Sequence, residues 1–493
     1  MMLGHAFMVF ETQWSLYVGL ALLVIGTGFF KPNMTSMISE MYKGKESKKD
    51  GAYTIYYMGV NAGAFFGMML CGYLASNLGW SYGFGLAGIF MLGGLIQFWL
   101  AKDLFGQIGE KPSKVHEVEL PQNITEESPK EHIRDDDGEK LNPFTTVDKL
   151  LIVLSSLGGL LYLFNDPLSK IGDINLLPFS IGDMEGSNVT VLVALFMFLF
   201  LIITRISRYS KIVRDRIIAV SVFGIFTVFF FAAFEQSLGS MTLFARDYTD
   251  RVLVGSSGTI FKVIDTILTI VPLAIITWVL YMLFKKTYKK IPASNIVLGL
   301  TFVFLWCIVF YKVYNEFSKD TTEVDPTWFG ILNSFFIITL APLFSKWWES
   351  KYNPSVAMKY GIGLILLGLG FGILVFGTMG IPQGAKTASV GMIFLILAYL
   401  FHTMGELCIS PVGLSYLSKL VPGRMIGFMF GIWYLAIAIG QKAAGTMGGM
   451  IDKITEEHSL STFFLIFTLV PAGVGVLSMI LNPVLKKLMH GVR

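Results

Sequence analysis

Five ionisable side chains stand inside long apolar stretches of this sequence: Lys31, Glu235, Asp265, Glu406 and Lys442. A charge in hydrocarbon is costly enough that its presence there marks a candidate pathway for a solute or a proton. Lys31 lies in Gly26-Thr27-Gly28-Phe29-Phe30-Lys31-Pro32-Asn33, Glu235 in Phe234-Glu235-Gln236, and Glu406 in Gly405-Glu406-Leu407-Cys408-Ile409-Ser410-Pro411. Lys31 adjoins Pro32 and Glu406 adjoins Gly405, residues that loosen a helix and free backbone groups to face a cavity. A carboxylate in such a place can exchange a proton near neutral pH, and a nearby ammonium can hold a substrate carboxylate. Asp265 follows Lys262 by three residues near the outer end of its stretch, so these two read as a snorkelling or capping pair on one helix face. Lys442, after Gln441, has no evident purpose.

Other chemistry finds less support. His402 and Glu406 are four apart, as metal ligands on a helix are, but no second His or Cys-rich partner accompanies them. Gly26-x-Gly28 before Lys31 lacks both the Walker spacing and a preceding strand. Cys71, Cys307 and Cys408 are scattered, and the first two lie in apolar runs where small buried hydrophobes are expected. No nucleophile–base pair supports an enzyme, and the net charge of +4 gives nucleic-acid binding no support. No cofactor or metal is expected.

The elements that must position these residues follow from composition. The 493 residues are 54% hydrophobic and 15% charged, where a soluble chain would carry roughly a quarter charged. The mean hydropathy is +0.64. This is an all-α polytopic membrane protein. A spanning helix needs about 20 mainly apolar residues, and thirteen stretches qualify: 15–35, 52–76, 80–101, 147–163, 189–206, 216–240, 259–284, 293–314, 326–346, 357–377, 388–414, 425–447 and 461–484. Met1–Phe10 is apolar but half a span long and has no basic n-region, so it reads as the second half of a helix and not as a signal peptide.

Sidedness follows from Lys and Arg in short loops. The loops 43–49, 205–216, 285–290, 346–351 and 419–424 and the tail 486–493 are basic, while 164–188, 315–325 and 451–460 are acidic or mixed. Placing the basic set in the cytoplasm makes the sides alternate across all thirteen spans and puts the C-terminus inside. Residues 103–146 hold clustered charges with Pro interspersed and read as a cytoplasmic, partly disordered linker.

At the charged positions the sequence resembles the proton-coupled oligopeptide transporters (POT, or PTR, family) of the major facilitator superfamily. Gly26 to Asn33, followed by Asp50-Gly51-Ala52-Tyr53-Thr54-Ile55-Tyr56-Tyr57-Met58-Gly59-Val60-Asn61, is similar to that family's fourth-to-fifth helix signature. Phe234-Glu235-Gln236 with Leu243-Phe244-Ala245 is similar to its seventh helix, and Leu332-Asn333 through Leu340-Ala341-Pro342-Leu343-Phe344 to its eighth. Gly405-Glu406-Leu407 through Ser410-Pro411-Val412-Gly413-Leu414-Ser415 is similar to the tenth, and Gly431-Ile432-Trp433-Tyr434 to the eleventh.

The resemblance implies a major facilitator fold: two six-helix bundles around a central cavity, working by alternating access and importing di- and tripeptides with protons across the cell membrane, here a bacterial inner membrane. Residues 1–102 would be the remainder of the N-terminal bundle (family helices 3 in part to 6), 103–146 the linker, 147–206 two additional inter-bundle helices, and 216–484 the C-terminal bundle with an inserted pair over 259–314. Lys31, Asn61 and Tyr57 would meet the peptide from the first bundle, its carboxylate falling to Lys31 and Asn61. Asn333 and Glu406 would meet its amino end from the second, Trp433 would shape a side-chain pocket, and Glu235 would carry the coupling proton. Ser410 and Gln236 would be secondary contacts. The expected partners are peptides, protons and the bilayer, with a monomer as the working unit.

The chain departs from the family pattern in three places. The first-helix Glu-x-x-Glu-Arg-Phe-like motif is absent, so the first two and a half helices read as missing from a shortened sequence. Ala436 replaces a common Ser, and Gln441-Lys442 replaces a usual Gly-Asn. Two alternatives stay open at this level: the same fold carrying nitrate or another small solute, and a non-transporting sensor or inactive fragment.

Overall fold

The computed structural model describes residues 1–41, 46–106, 108, 142–420 and 426–492. The linker expected over 103–146 lies mostly outside the described residues. The architecture is helical, as it must be where hydrocarbon offers no hydrogen-bond partner to the backbone. The helices are α1 (Met2–Met8), α2 (Gln13–Met41), α3 (Glu46–Leu78), α4 (Trp80–Leu100), α5 (Thr146–Ile171), α6 (Gly186–Ile206), α7 (Lys211–Phe234), α8 (Ser240–Asp247) and α9 (Ser256–Thr287). They continue as α10 (Pro292–Phe317), α11 (Trp328–Glu349), α12 (Val356–Thr378), α13 (Ile393–Leu420), α14 (Ile426–Gly448), α15 (Ile451–Glu457), α16 (Leu460–Ile480) and α17 (Asn482–Leu488). Among the described residues, 12 helices are long and apolar enough to cross a membrane. They coincide with twelve of the thirteen anticipated spans; the thirteenth, 425–447, corresponds to α14. The chain is a multi-pass membrane protein.

Short strands pin the helix ends. β1 (Ser180–Ile181) and β2 (Met184–Glu185) form a hairpin between α5 and α6. β3 (Thr249–Asp250) and β4 (Val252–Leu253) follow α8, β5 (Thr322–Glu323) follows α10, and β6 (Val390–Gly391) precedes α13. β3 pairs in parallel with β6, and β4 pairs antiparallel with β5. These pairings tie the same ends of α8, α9, α10 and α13 together.

The buried apolar side chains form two clusters. The larger draws on α7, α8, α11–α14, α16 and α17, around Phe230, Tyr360, Phe371 and Phe464. The smaller joins Phe65, Leu70 and Leu74 of α3 and Leu86 of α4 to Leu273 of α9 and Leu305 and Val309 of α10. The inserted pair α9–α10 thus buries its face on α3 and α4, although the chain places it between segments of the other core. Polar contacts follow the same route: the Ser294 hydroxyl donates to the Gln97 carbonyl at 3.0 Å, and the Asn315 amide donates to the Tyr73 hydroxyl at 2.6 Å.

Two sequence-level readings need correction. Asp265 does not pair with Lys262 on their shared helix. It is buried against the equally buried Lys312 of α10 at 2.5 Å and accepts from the Trp328 indole at 3.0 Å, while Lys262 donates to the Lys319 carbonyl. Lys442, for which the sequence suggests no purpose, meets Asp166 of α5 at 2.9 Å. Cys307 is exposed on α10, not buried. An apolar run in a membrane protein does not reveal its inward face, because lipid is as apolar as a packed core.

Candidate functional site

The geometry around Glu406 begins with glycine. Gly405 on α13 and Gly363 on α12 face each other so closely that a Cβ on Gly405 would lie 2.6 Å from the Gly363 carbonyl oxygen, and one on Gly363 2.8 Å from that of Gly405. Only two hydrogens in place of side chains allow this approach, which fixes the rotation of α13 and hence the direction of Glu406. We expect Gly405→Ala to overpack the seam and cost about 1–3 kcal/mol. The thermal stability of the purified protein in detergent should fall, whereas Gly445→Ala, where a Cβ meets nothing within 4 Å, should not lower it. Equal melting of the two variants would sink this account.

From α13, Glu406 reaches α11. The Asn333 side-chain amide donates to Glu406 Oε2 at 2.9 Å and to the Thr403 hydroxyl at 3.1 Å. Thr403 in turn donates to the Tyr399 carbonyl at 2.7 Å. The structure therefore brings together the two residues expected to face the amino end of a peptide, and adds Thr403, which the sequence reading missed. The signal was present: Thr403 stands three residues before Glu406, on the same helix face. Ser410 is half-buried one turn beyond Glu406.

Glu235 owes its place to a break. α7 ends at Phe234, and Glu235–Leu238 form a single 3-10 turn before α8. The turn brings the half-buried Glu235 carboxylate to Gln441 of α14, whose amide donates to Oε1 at 3.0 Å. The neighbouring Gln236 is buried, and its amide is occupied by the Ala444 carbonyl at 2.9 Å and the Ser240 hydroxyl at 2.7 Å. Gln236 therefore sews α7 to α14 and is not poised as a solute contact.

The remaining candidates are more dispersed. Asn61 is buried on α3. Lys31 and Tyr57 lie on α2 and α3, and their side chains are outside the described residues. Trp433 is 4% exposed and fills the space between Val220 and Phe223 of α7, Tyr360 of α12 and Gly413 of α13. Its indole is packed into the larger core.

His402 is fully buried against Phe371, with ring centroids 4.4 Å apart. Among the described residues, no group of three or more His, Cys, Asp or Glu side chains could hold a metal ion.

A cavity of about 510 Å³ opens elsewhere, at the ends of α3, α9, α10 and α11 expected to face outside. Its walls include Tyr73, Arg251, Asp265, Lys312, Asp325 and Trp328, but neither Asn333 nor Glu406. Most of these charges answer one another: Lys312 pairs with Asp265, Lys319 with Glu316, and Arg251 with Glu323. The Ser76 hydroxyl donates to Asp325.

The model of the POT family matches residues 2–122 and 309–466, together more than half of the chain. The peptide transporter YePEPT of Yersinia enterocolitica is 27% identical over 469 residues, covering 94% of this chain and 74% of that protein. The dipeptide and tripeptide permease A of Escherichia coli is 26% identical over 478 residues, covering 94% and 72%. Among solved structures, a POT family transporter in complex with a thioalcohol-conjugated peptide superimposes with a TM-score of 0.65 at 19% identity, covering 98% of this chain and 81% of that one. The relatives are transporters, not enzymes, and the fold is that of the POT transporters.

Proposed function

Because the chain belongs to the POT family, we propose that it carries di- and tripeptides across the cytoplasmic membrane together with protons, by alternating access. The observation that carries this reading is the Asn333–Glu406 pair: a carboxylate inside a membrane-spanning segment, oriented by an amide from a second helix at 2.9 Å. A zwitterionic peptide needs an anion on one wall and a cation on the other. Glu406 with Asn333 supplies the first, for the peptide ammonium. Lys31 with Asn61 and Tyr57 supplies the second, for its carboxylate. Ser410 adds a polar contact beside Glu406, and Trp433 forms part of the floor under the side chain. The basic loops put the C-terminus in the cytoplasm of a bacterial cell, and the working unit is the monomer.

Glu235 carries the coupling proton in this scheme. It sits where α7 breaks, and its carboxylate is held by one neutral donor. In proteoliposomes, Glu235→Gln should abolish dipeptide uptake driven by an inward proton gradient. Exchange of labelled for unlabelled dipeptide at equal pH, which requires no net proton movement, should persist. Gradient-driven uptake by this variant at the wild-type rate would remove Glu235 from the coupling step. Failure of the wild type to accumulate dipeptide at all would remove the substrate assignment.

A further inference from the structure

Gln441 and Lys442 stand next to each other on α14, where the family pattern has no such pair. Consecutive residues on a helix point roughly 100° apart, so the two side chains reach different neighbours. Gln441 donates to Glu235 Oε1 at 3.0 Å on the turn after α7. Lys442 meets Asp166 Oδ2 at 2.9 Å on α5 and lies 5.5 Å from the centre of the Tyr162 ring. α5, α14 and the turn after α7, which are not consecutive in the chain, are thereby joined through two adjacent residues.

The backbone around this point is well fixed on one side. Gly440 packs so tightly on α7 that a Cβ there would lie 2.8 Å from the Val228 carbonyl oxygen. One turn further on, Gln236 binds the Ala444 carbonyl at 2.9 Å. These contacts set how close α14 lies to α7. On its other flank, α14 meets α5 through the Lys442–Asp166 pair. α5 itself packs mainly on α6. At its opposite end α5 is held to the end of α6 and the residues after it by Asp148, which binds Arg205 at 3.2 Å and Arg208 at 2.7 Å. Among the described residues, the α5–α6 hairpin meets α14 at the Lys442–Asp166 ion pair.

A hydrogen bond from a neutral amide is directional and tolerates little rotation of the donor helix. The Gln441–Glu235 bond also needs an oxygen free to accept. A Glu235 that takes its proton on Oε1 must give up this contact or turn its other oxygen toward it.

We propose that Gln441 is a positioning residue for the Glu235 carboxylate, and that the Lys442–Asp166 pair makes the α5–α6 hairpin a brace that holds α14 in the rotation this requires. The proposal rests on the reading of Glu235 as the proton carrier for its transport consequence, but its geometric half does not. Gln441→Met keeps the length of the side chain and removes the donor. Lys442→Gln removes the ion pair, Lys442→Arg keeps it, and Lys442→Asp combined with Asp166→Lys restores it in reverse.

Two readouts separate the halves. The first is the infrared carboxyl band that disappears in Glu235→Gln, recorded on the purified protein with no peptide present. It should shift in frequency in Gln441→Met and in Lys442→Gln, and return to its wild-type position in Lys442→Arg and in the reversed pair. The second is peptide transport. Gradient-driven dipeptide uptake should fall about tenfold in Gln441→Met, the loss of one charge-assisted hydrogen bond, while exchange at equal pH stays at the wild-type rate. If the band does not move in Gln441→Met, Gln441 does not position Glu235. If it moves there but not in Lys442→Gln, the brace is overturned. If the band moves as expected and the wild type takes up no dipeptide, the positioning stands and the transport reading fails.

Discussion

Glu406→Gln should weaken dipeptide recognition by roughly 10- to 100-fold in the concentration needed for half-maximal uptake, the worth of one hydrogen bond to a charged group. The substitution is chosen because it leaves the site's structure in place. Asn333 presents its amide hydrogens to Glu406 Oε2 and to Thr403, and a glutamine can turn its own carbonyl oxygen toward the same donor. What is lost is the negative charge that would face a peptide ammonium. The decisive comparison is therefore between a dipeptide and its N-acetylated form, offered as competitors of labelled peptide. The wild type should prefer the free amine strongly, and Glu406→Gln should compete almost equally with both. A variant that keeps the preference would show that the ammonium is recognised elsewhere.

Lys312→Met should be among the most destabilising single changes in the chain. Lys312 and Asp265 are 4% and 7% exposed, and their 2.5 Å contact lies between α10 and α9. Removing one partner leaves a buried carboxylate whose remaining donor among the described residues is the Trp328 indole, which typically costs about 3–5 kcal/mol. Replacing both, as Lys312→Met with Asp265→Leu, removes the uncompensated charge and should recover most of the loss. Thermal stability of the detergent-purified protein, followed by the fraction that stays monodisperse after heating, reads both effects. The account fails if the double variant melts no higher than Lys312→Met. The position of the pair gives the result a further use. Asp265 also holds Trp328 at the start of α11, so the same bond joins the inserted helices, which pack on α3 and α4, to the larger core.

Much of this molecule was legible before its structure. Hydropathy located the helices, because a membrane demands about 20 apolar residues whatever the neighbours are. The motifs around Glu235, Asn333 and Glu406 named the family, and Glu406 does meet Asn333. The break after Phe234 was not anticipated, since 216–240 reads as one span by hydropathy whereas Glu235–Leu238 form a 3-10 turn. Failures clustered where a helix's rotation about its own axis matters. Lys262 and Asp265 share a face by spacing, yet Asp265 turns to Lys312, 47 residues away. Lys442 finds Asp166 across 276 residues, and Gln441 finds Glu235 across 206. Cys307 lies in an apolar run but faces outward.

By itself, then, the sequence determined that the chain crosses a membrane many times, which family it resembles, and which few charges must have partners. Only the tertiary structure decided who those partners are. The reason is physical: in lipid, apolar periodicity no longer distinguishes the packed face of a helix from the exposed one, so each helix's rotation is set by close contacts between small residues and by long-range polar pairs. Gly405 against Gly363 aims Glu406, and Gly440 against α7 aims Gln441. Neither direction can be read from the residues that carry the charge.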